Sequence, residues 1–197
     1  MRFDLLFDDL EAQLEAQHAA EGAQQRGEEE RLRAARTSLR ERLAALAGDA
    51  AARGIRLRLI DGSAVELTPT TVGRDWLAAD LAGGGQCIVP LGSVAAVALS
   101  ADQLAASRRR MPEPKPGQGG GLTAKLGIGV VLRDLARRRV PVDVRSVVEP
   151  APVHGTIDRV GADHLDLAVH ERDAPRRASS VLEHRIVALA AITQLLV

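Results

Sequence analysis

The chain has 197 residues, with 26 basic and 26 acidic side chains and no net charge, so it lacks the global field that draws a protein to nucleic acid or to an anionic membrane. A single cysteine, Cys87, excludes an intramolecular disulfide and a cysteine-built zinc site, and no apolar run approaches the ~20 residues that cross a bilayer. Met1-Arg2-Phe3-Asp4 opens an acidic segment rather than a signal peptide, so the expectation is a soluble, cytoplasmic protein with no membrane partner.

In chain order, Phe3, Leu6, Phe7, Leu10 and Leu14 recur at three- and four-residue steps and predict an N-terminal amphipathic helix within residues 1–27. Its Phe3/Phe7 stripe either docks on the rest of the chain or serves as a handle for a protein partner. Residues 28–47 predict a second helix with Leu32, Ala35, Leu39, Leu43 and Leu46 on one stripe. Glutamates interleave with Arg31, Arg33, Arg36, Arg40 and Arg42, which reads as a solvated, ion-paired face.

Five short strands are expected next, at 55–60, 65–71, 76–81, 87–90 and 93–99, with Asp61-Gly62 and Gly83-Gly84-Gly85 as tight turns. Residues 100–121 form a Pro/Gly linker that begins with a short helical stretch ending in Arg108-Arg109-Arg110. Its glycine cluster lacks the Gly-Lys-Ser/Thr ending of a phosphate loop. A third helix is expected at 122–139, ending in Arg137-Arg138-Arg139. Five more strands then follow, at 140–144, 153–159, 164–170, 182–187 and 188–195.

The second series echoes the first. Thr71-Val72-Gly73-Arg74-Asp75-Trp76-Leu77 matches Arg159-Val160-Gly161-Ala162-Asp163-His164-Leu165, with 163 − 75 = 88 residues between the aspartates. Val94-Ala95-Ala96-Val97 matches Leu189-Ala190-Ala191-Ile192 at 189 − 94 = 95, which places seven added residues in the charged loop at 172–180. The chain therefore divides into the terminal helix (1–27), a helix with a first β unit (28–99), the linker (100–121) and a helix with a second β unit (122–197).

A helix followed by five short, bent strands resembles the Sm-like family of small barrels, over about three quarters of the chain. Gly155-Thr156-Ile157, Asp163 and Leu165-Asp166-Leu167 stand where that family has its glycine, turn aspartate and Leu-Asn-Leu strand. The resemblance implies an α+β fold of two tandem Sm-like/SH3-like β-barrels, each preceded by a helix and with the N-terminal helix added. The family's base-binding asparagine is Asp166 in one copy and Ala78 in the other, so the resemblance does not extend to Sm-type RNA binding. The chain as a whole also looks like an uncharacterised actinobacterial protein family, a likeness that implies no activity.

His164, Asp166 and His170 share one face of a strand, and His154 and His184 lie on its neighbours. The strand between first and last is too long for one metal ion to join its ends, so these read as exposed polar residues opposite Leu165, Leu167 and Val169. No serine, cysteine or carboxylate pair stands in a catalytic setting, so no enzyme activity, cofactor or metal is expected. Trp76 either caps a bowl against an adjoining helix or anchors a partner. The leading expectation is a non-enzymatic interaction or regulatory module that binds a protein or another copy of itself. Its candidates are Phe3, Phe7, Trp76 and the exposed strand edges. The alternative is nucleic-acid binding through Arg108, Arg109, Arg110, Arg137, Arg138, Arg139, Arg176 and Arg177.

Overall fold

The computed structural model describes residues 17–18, 21–22, 24–25, 27–32, 34–49, 53–108, 120–172 and 177–197. Two compact units divide the chain, Met1–Leu39 and Arg40–Val197. In the first, residues 27–32 and 34–36 are helical and Leu32 is exposed. Most of the helix expected over 1–27, Phe3 and Phe7 included, lies outside the described residues. The helix expected at 28–47 is interrupted at 37–38 and resumes as α1, Leu39–Leu46.

The larger unit is mostly β. Its strands are β1 (Ile55–Leu59), β2 (Ala64–Val72), β3 (Trp76–Leu81), β4 (Gln86–Pro90), β5 (Val94–Ala98), β6 (Pro141–Ser146), β7 (Val153–Val160), β8 (His164–Val169), β9 (Glu183–Ala188) and β10 (Ile192–Leu196). Helix α2, Ala101–Arg108, follows β5, and α3, Ile128–Arg138, precedes β6.

Alternation carries the strands. In β1, Ile55, Leu57 and Leu59 are buried while Arg56 and Arg58 face out. The β1–β2 turn closes with Gly62 at φ +82° and the Ser63 N–H on Asp61 Oδ1, while Gly84 and Gly85, both at positive φ, make the β3–β4 turn.

The expectation of two closed tandem barrels is overturned. Among the described residues all ten strands belong to one open antiparallel sheet, in the order β5-β1-β2-β3-β4-β10-β6-β7-β8-β9. The joint is β10, which pairs with β6 on one side and with β4 on the other, opposing Leu195 to Ile88 and Leu196 to Cys87. A half that closed on itself would have paired β4 within the first five strands. Here β4 finds its backbone partner in the second half, so the sheet runs on instead of closing. Periodicity locates strands but is blind to which edges meet.

Within the sheet each half has the same internal order: its last strand, then its first, second, third and fourth. The pairs Trp76↔Pro90 and His164↔Ala188 make Pro90 and Ala188 positional counterparts, 188 − 90 = 98 apart, against 164 − 76 = 88 for the strand before. The segment between β8 and β9 is thus ten residues longer, not seven. The counterpart of Val94 is Ile192, since each follows a 3-10 turn, at Leu91–Ser93 and Leu189–Ala191.

Two cores result. Leu43 and Leu46 of α1 and Ala106 of α2 pack on Ile55, Leu57, Leu67, Leu77 and Val89. Each buried leucine contributes about 1.5–3 kcal/mol as an upper bound. Leu132 of α3 packs on Val142, Val144, Ile157, Leu165, Leu167 and Leu195, and Trp76 and Ile88 from the first half complete that cluster. Arginines fasten α1 to its surroundings: Arg40 donates to the carbonyls of Gly73 and Ala124, and Arg42 to Ser107 Oγ of α2. Those two leave the solvated face on which the sequence placed them.

Candidate functional site

The residues singled out from sequence do not gather in one place. Trp76 is 5% exposed, its indole N–H donates to the Leu126 carbonyl at 2.9 Å, and its ring covers Gly73, where an added Cβ would lie 2.1 Å from Nε1. A partner does not reach an indole so enclosed. His164 repeats the arrangement over Gly161, with Nδ1 donating to Asp163 at 2.8 Å, a hydrogen bond that holds the Asp163 carboxyl below its ordinary value. Phe3, Phe7, Arg109, Arg110 and Arg176 lie outside the described residues, whereas Arg108 and Arg177 are exposed. At the end of α3, Arg137 and Arg138 both reach Asp134, at 2.6 and 2.8 Å, and Arg139 is the left-handed C-cap at φ 54°.

Nor do the histidines form a metal centre; among the described residues no three His, Cys, Asp or Glu side chains converge to hold an ion. They build something else around an aspartate that no sequence motif singles out. Asp143 of β6 sits opposite His154 of β7; its Oδ1 accepts the His154 Nδ1–H at 2.7 Å and its Oδ2 accepts from Arg172 at 2.6 Å. His170 is not exposed as expected but 5% accessible. Its Nδ1–H donates to the Glu171 carbonyl, which leaves Nε2 to accept from the Thr156 hydroxyl, and the two histidine rings meet edge-on at 5.0 Å. The group ties the start of the β8–β9 segment to β6 and β7. Cross-strand register creates it, so the one-residue Val-Asp-Val alternation around Asp143 gave no notice of its partners.

The open feature is at β9. Val144, Val153, Leu167 and Val187 floor a groove of about 590 Å³, with Val148 at its mouth, 78% exposed. Arg185 on its wall is held between Glu149 at 3.0 Å and Glu183 at 2.8 Å. Strand β9 pairs with β8 on one side, and among the described residues no strand pairs with its other side. At this edge Ile186 is 78% exposed, while its counterpart Ile88, one strand position equivalent in β4, is 6% exposed under β10. The sequence signal was present in the alternating Glu183–Ala188 strand, but only the topology makes it an edge. Chemically the place offers an unpaired backbone edge, an apolar floor and a charged rim, which suits an extended polypeptide.

No family model, no curated protein and no solved structure matches this chain. Among the described residues no helix is long and apolar enough to cross a membrane.

Proposed function

We propose that the chain is a non-enzymatic protein-binding module, built from two copies of one β unit, whose working surface is the outer edge of β9 with the groove beside it. An extended segment of the partner adds to the sheet as a strand; main-chain hydrogen bonds supply affinity, and a side chain entering the groove supplies selectivity. The single observation behind this is Ile186, a large apolar side chain 78% exposed on an edge strand above an apolar groove. The nucleic-acid alternative draws less support, because Arg137 and Arg138 share an ion pair with Asp134.

The test is a comparative pull-down from native lysate with the wild-type chain and Ile186→Glu as baits. Proteins held by the wild type and lost by the variant are the expected outcome; an identical set on both baits overturns the reading. Retention on generic DNA or RNA at low salt, falling as salt rises, would move the assignment to the arginines.

A further inference from the structure

We infer that the strand received by β9 is β5 of a second copy of this chain, aligned so that Ile186 faces the second copy's Val97 and Arg185 faces its Ala98. This rests on the reading of β9 as a docking edge and names its occupant.

Among the described residues, the two free edges of the sheet are β5 and β9. They are the counterparts of the two strands that pair inside the chain. β9 stands in the second half where β4 stands in the first, since Pro90 and Ala188 occupy the same position opposite Trp76 and His164. β5 stands where β10 stands, since Val97 opposes Leu57 of β1 as Leu195 opposes Val144 of β6. The chain thus already contains the contact between a fourth strand and a fifth strand, in the β4–β10 pair. A second copy presenting β5 to β9 repeats that contact between molecules. Its register follows from the internal one: Ile88↔Leu195 becomes Ile186↔Val97, and Cys87↔Leu196 becomes Arg185↔Ala98.

The composition of the edges agrees. Strand β5 reads Val-Ala-Ala-Val-Ala, with Ala95, Ala96 and Ala98 exposed and with none of the lysine, proline or inward charge that keeps a solitary edge from pairing. Its small side chains let another backbone approach closely, and the bulk comes from Ile186 across the junction. Because the two surfaces in contact are different, the union leaves one β5 and one β9 free, so association continues into longer chains or closes as a ring.

Sedimentation velocity of the full chain over a range of concentrations is the first test, with a weight-average mass that rises with concentration as the expected result. Ile186→Lys and Ala98→Lys should each abolish the rise with the circular dichroism unchanged, since Ile186 is 78% exposed and Ala98 is exposed on the free edge, opposite Arg185 in the inferred register. Register is read by mixing Val97→Cys with Ile186→Cys under mild oxidation. Directly opposed residues on antiparallel strands lie about 4.5–5.5 Å apart, within disulfide reach. A mixed disulfide dimer is expected; Ala95→Cys in place of Val97→Cys should give none. A monomer at every concentration overturns the inference, as does association that survives both lysine variants or a disulfide between two Ile186→Cys chains. If the chain stays monomeric while Ile186→Glu still loses proteins from lysate, β9 is a docking edge for a different protein, and only the identity of its occupant falls.

Discussion

Asp75 works in two directions from one turn. Its Oδ1 accepts the Ile128 N–H that opens α3, at 2.7 Å, and its carbonyl accepts from the Leu91 N–H ahead of β5. The helix's own N-cap, Gly127, has no side chain to do this. Asp75→Ala should lower stability by about 1 kcal/mol, read as a lower urea midpoint, and Asp75→Asn should restore most of it. Gly155→Ala meets the Ala168 carbonyl oxygen at 2.5 Å, a backbone atom in the adjacent strand, so a loss of about 1–3 kcal/mol is expected. Gly92→Ala, with nothing within 4 Å of its Cβ, is the neutral control. Burial alone would raise the Asp61 carboxyl, but hydrogen bonds from Ser63 and Thr193 and the charge of Arg145 carry it below 3.8. A carboxyl lowered by folding stabilises above its unfolded value and stops doing so as pH falls through the folded one. The urea-midpoint gap between wild type and Asp61→Asn should therefore be present near neutral pH and close below about pH 3.8; a gap independent of pH would refute it. At this scale the sequence was readable where one residue acts on its own turn, as in Asp61-Gly62. It was mute where a side chain acts on a distant element, as Asp75 does on α3 and Arg40 on Gly73.

Strands were legible one by one, because alternation is a local property: Ile55, Leu57 and Leu59 declare β1 without reference to anything else. Helices were less so. Leu39 and Leu43 lie on one expected stripe, yet Leu39 is 42% exposed and Leu43 is 1% exposed. Past the break at 37–38, Leu43 and Leu46 pack into the core under the sheet. The β4–β10 pair was illegible, since the apolar sequences of both strands mark them for burial without naming the strand each pairs with. Cys87 reports on it. The thiol is 1% exposed, and burial pushes its pKa up, so at neutral pH it should stay unreactive to a thiol reagent until the chain unfolds. Leu195→Ala removes the fully buried side chain opposite Ile88 and should cost about 2–5 kcal/mol, with Cys87 labelled faster than global unfolding allows. Labelling of the wild type at the rate of an exposed thiol would refute the seam.

At the scale of the molecule, the aligned turns at Asp75 and Asp163 gave the period of the chain but not its closure. Ten strands in one open sheet and ten in two barrels need nearly the same alternation, and what separates them is the pairing of four residues, Cys87, Ile88, Leu195 and Leu196. That pairing also imposes a schedule. Ile88 must wait for Leu195, which follows it by 195 − 88 = 107 residues. At translation rates of about 5–20 residues per second, β4 stands uncovered for roughly 5–20 s after it leaves the ribosome. During that interval, on the inference above, the β5 of a neighbouring nascent chain, the positional counterpart of β10, competes for it. The chain's own β10, once made, competes from a tether, where effective concentrations are on the order of millimolar, and displaces the stranger. Slow decoding between β5 and β10 would lengthen the exposure, so the yield of correctly closed sheet depends on the pace of synthesis as well as on its energetics.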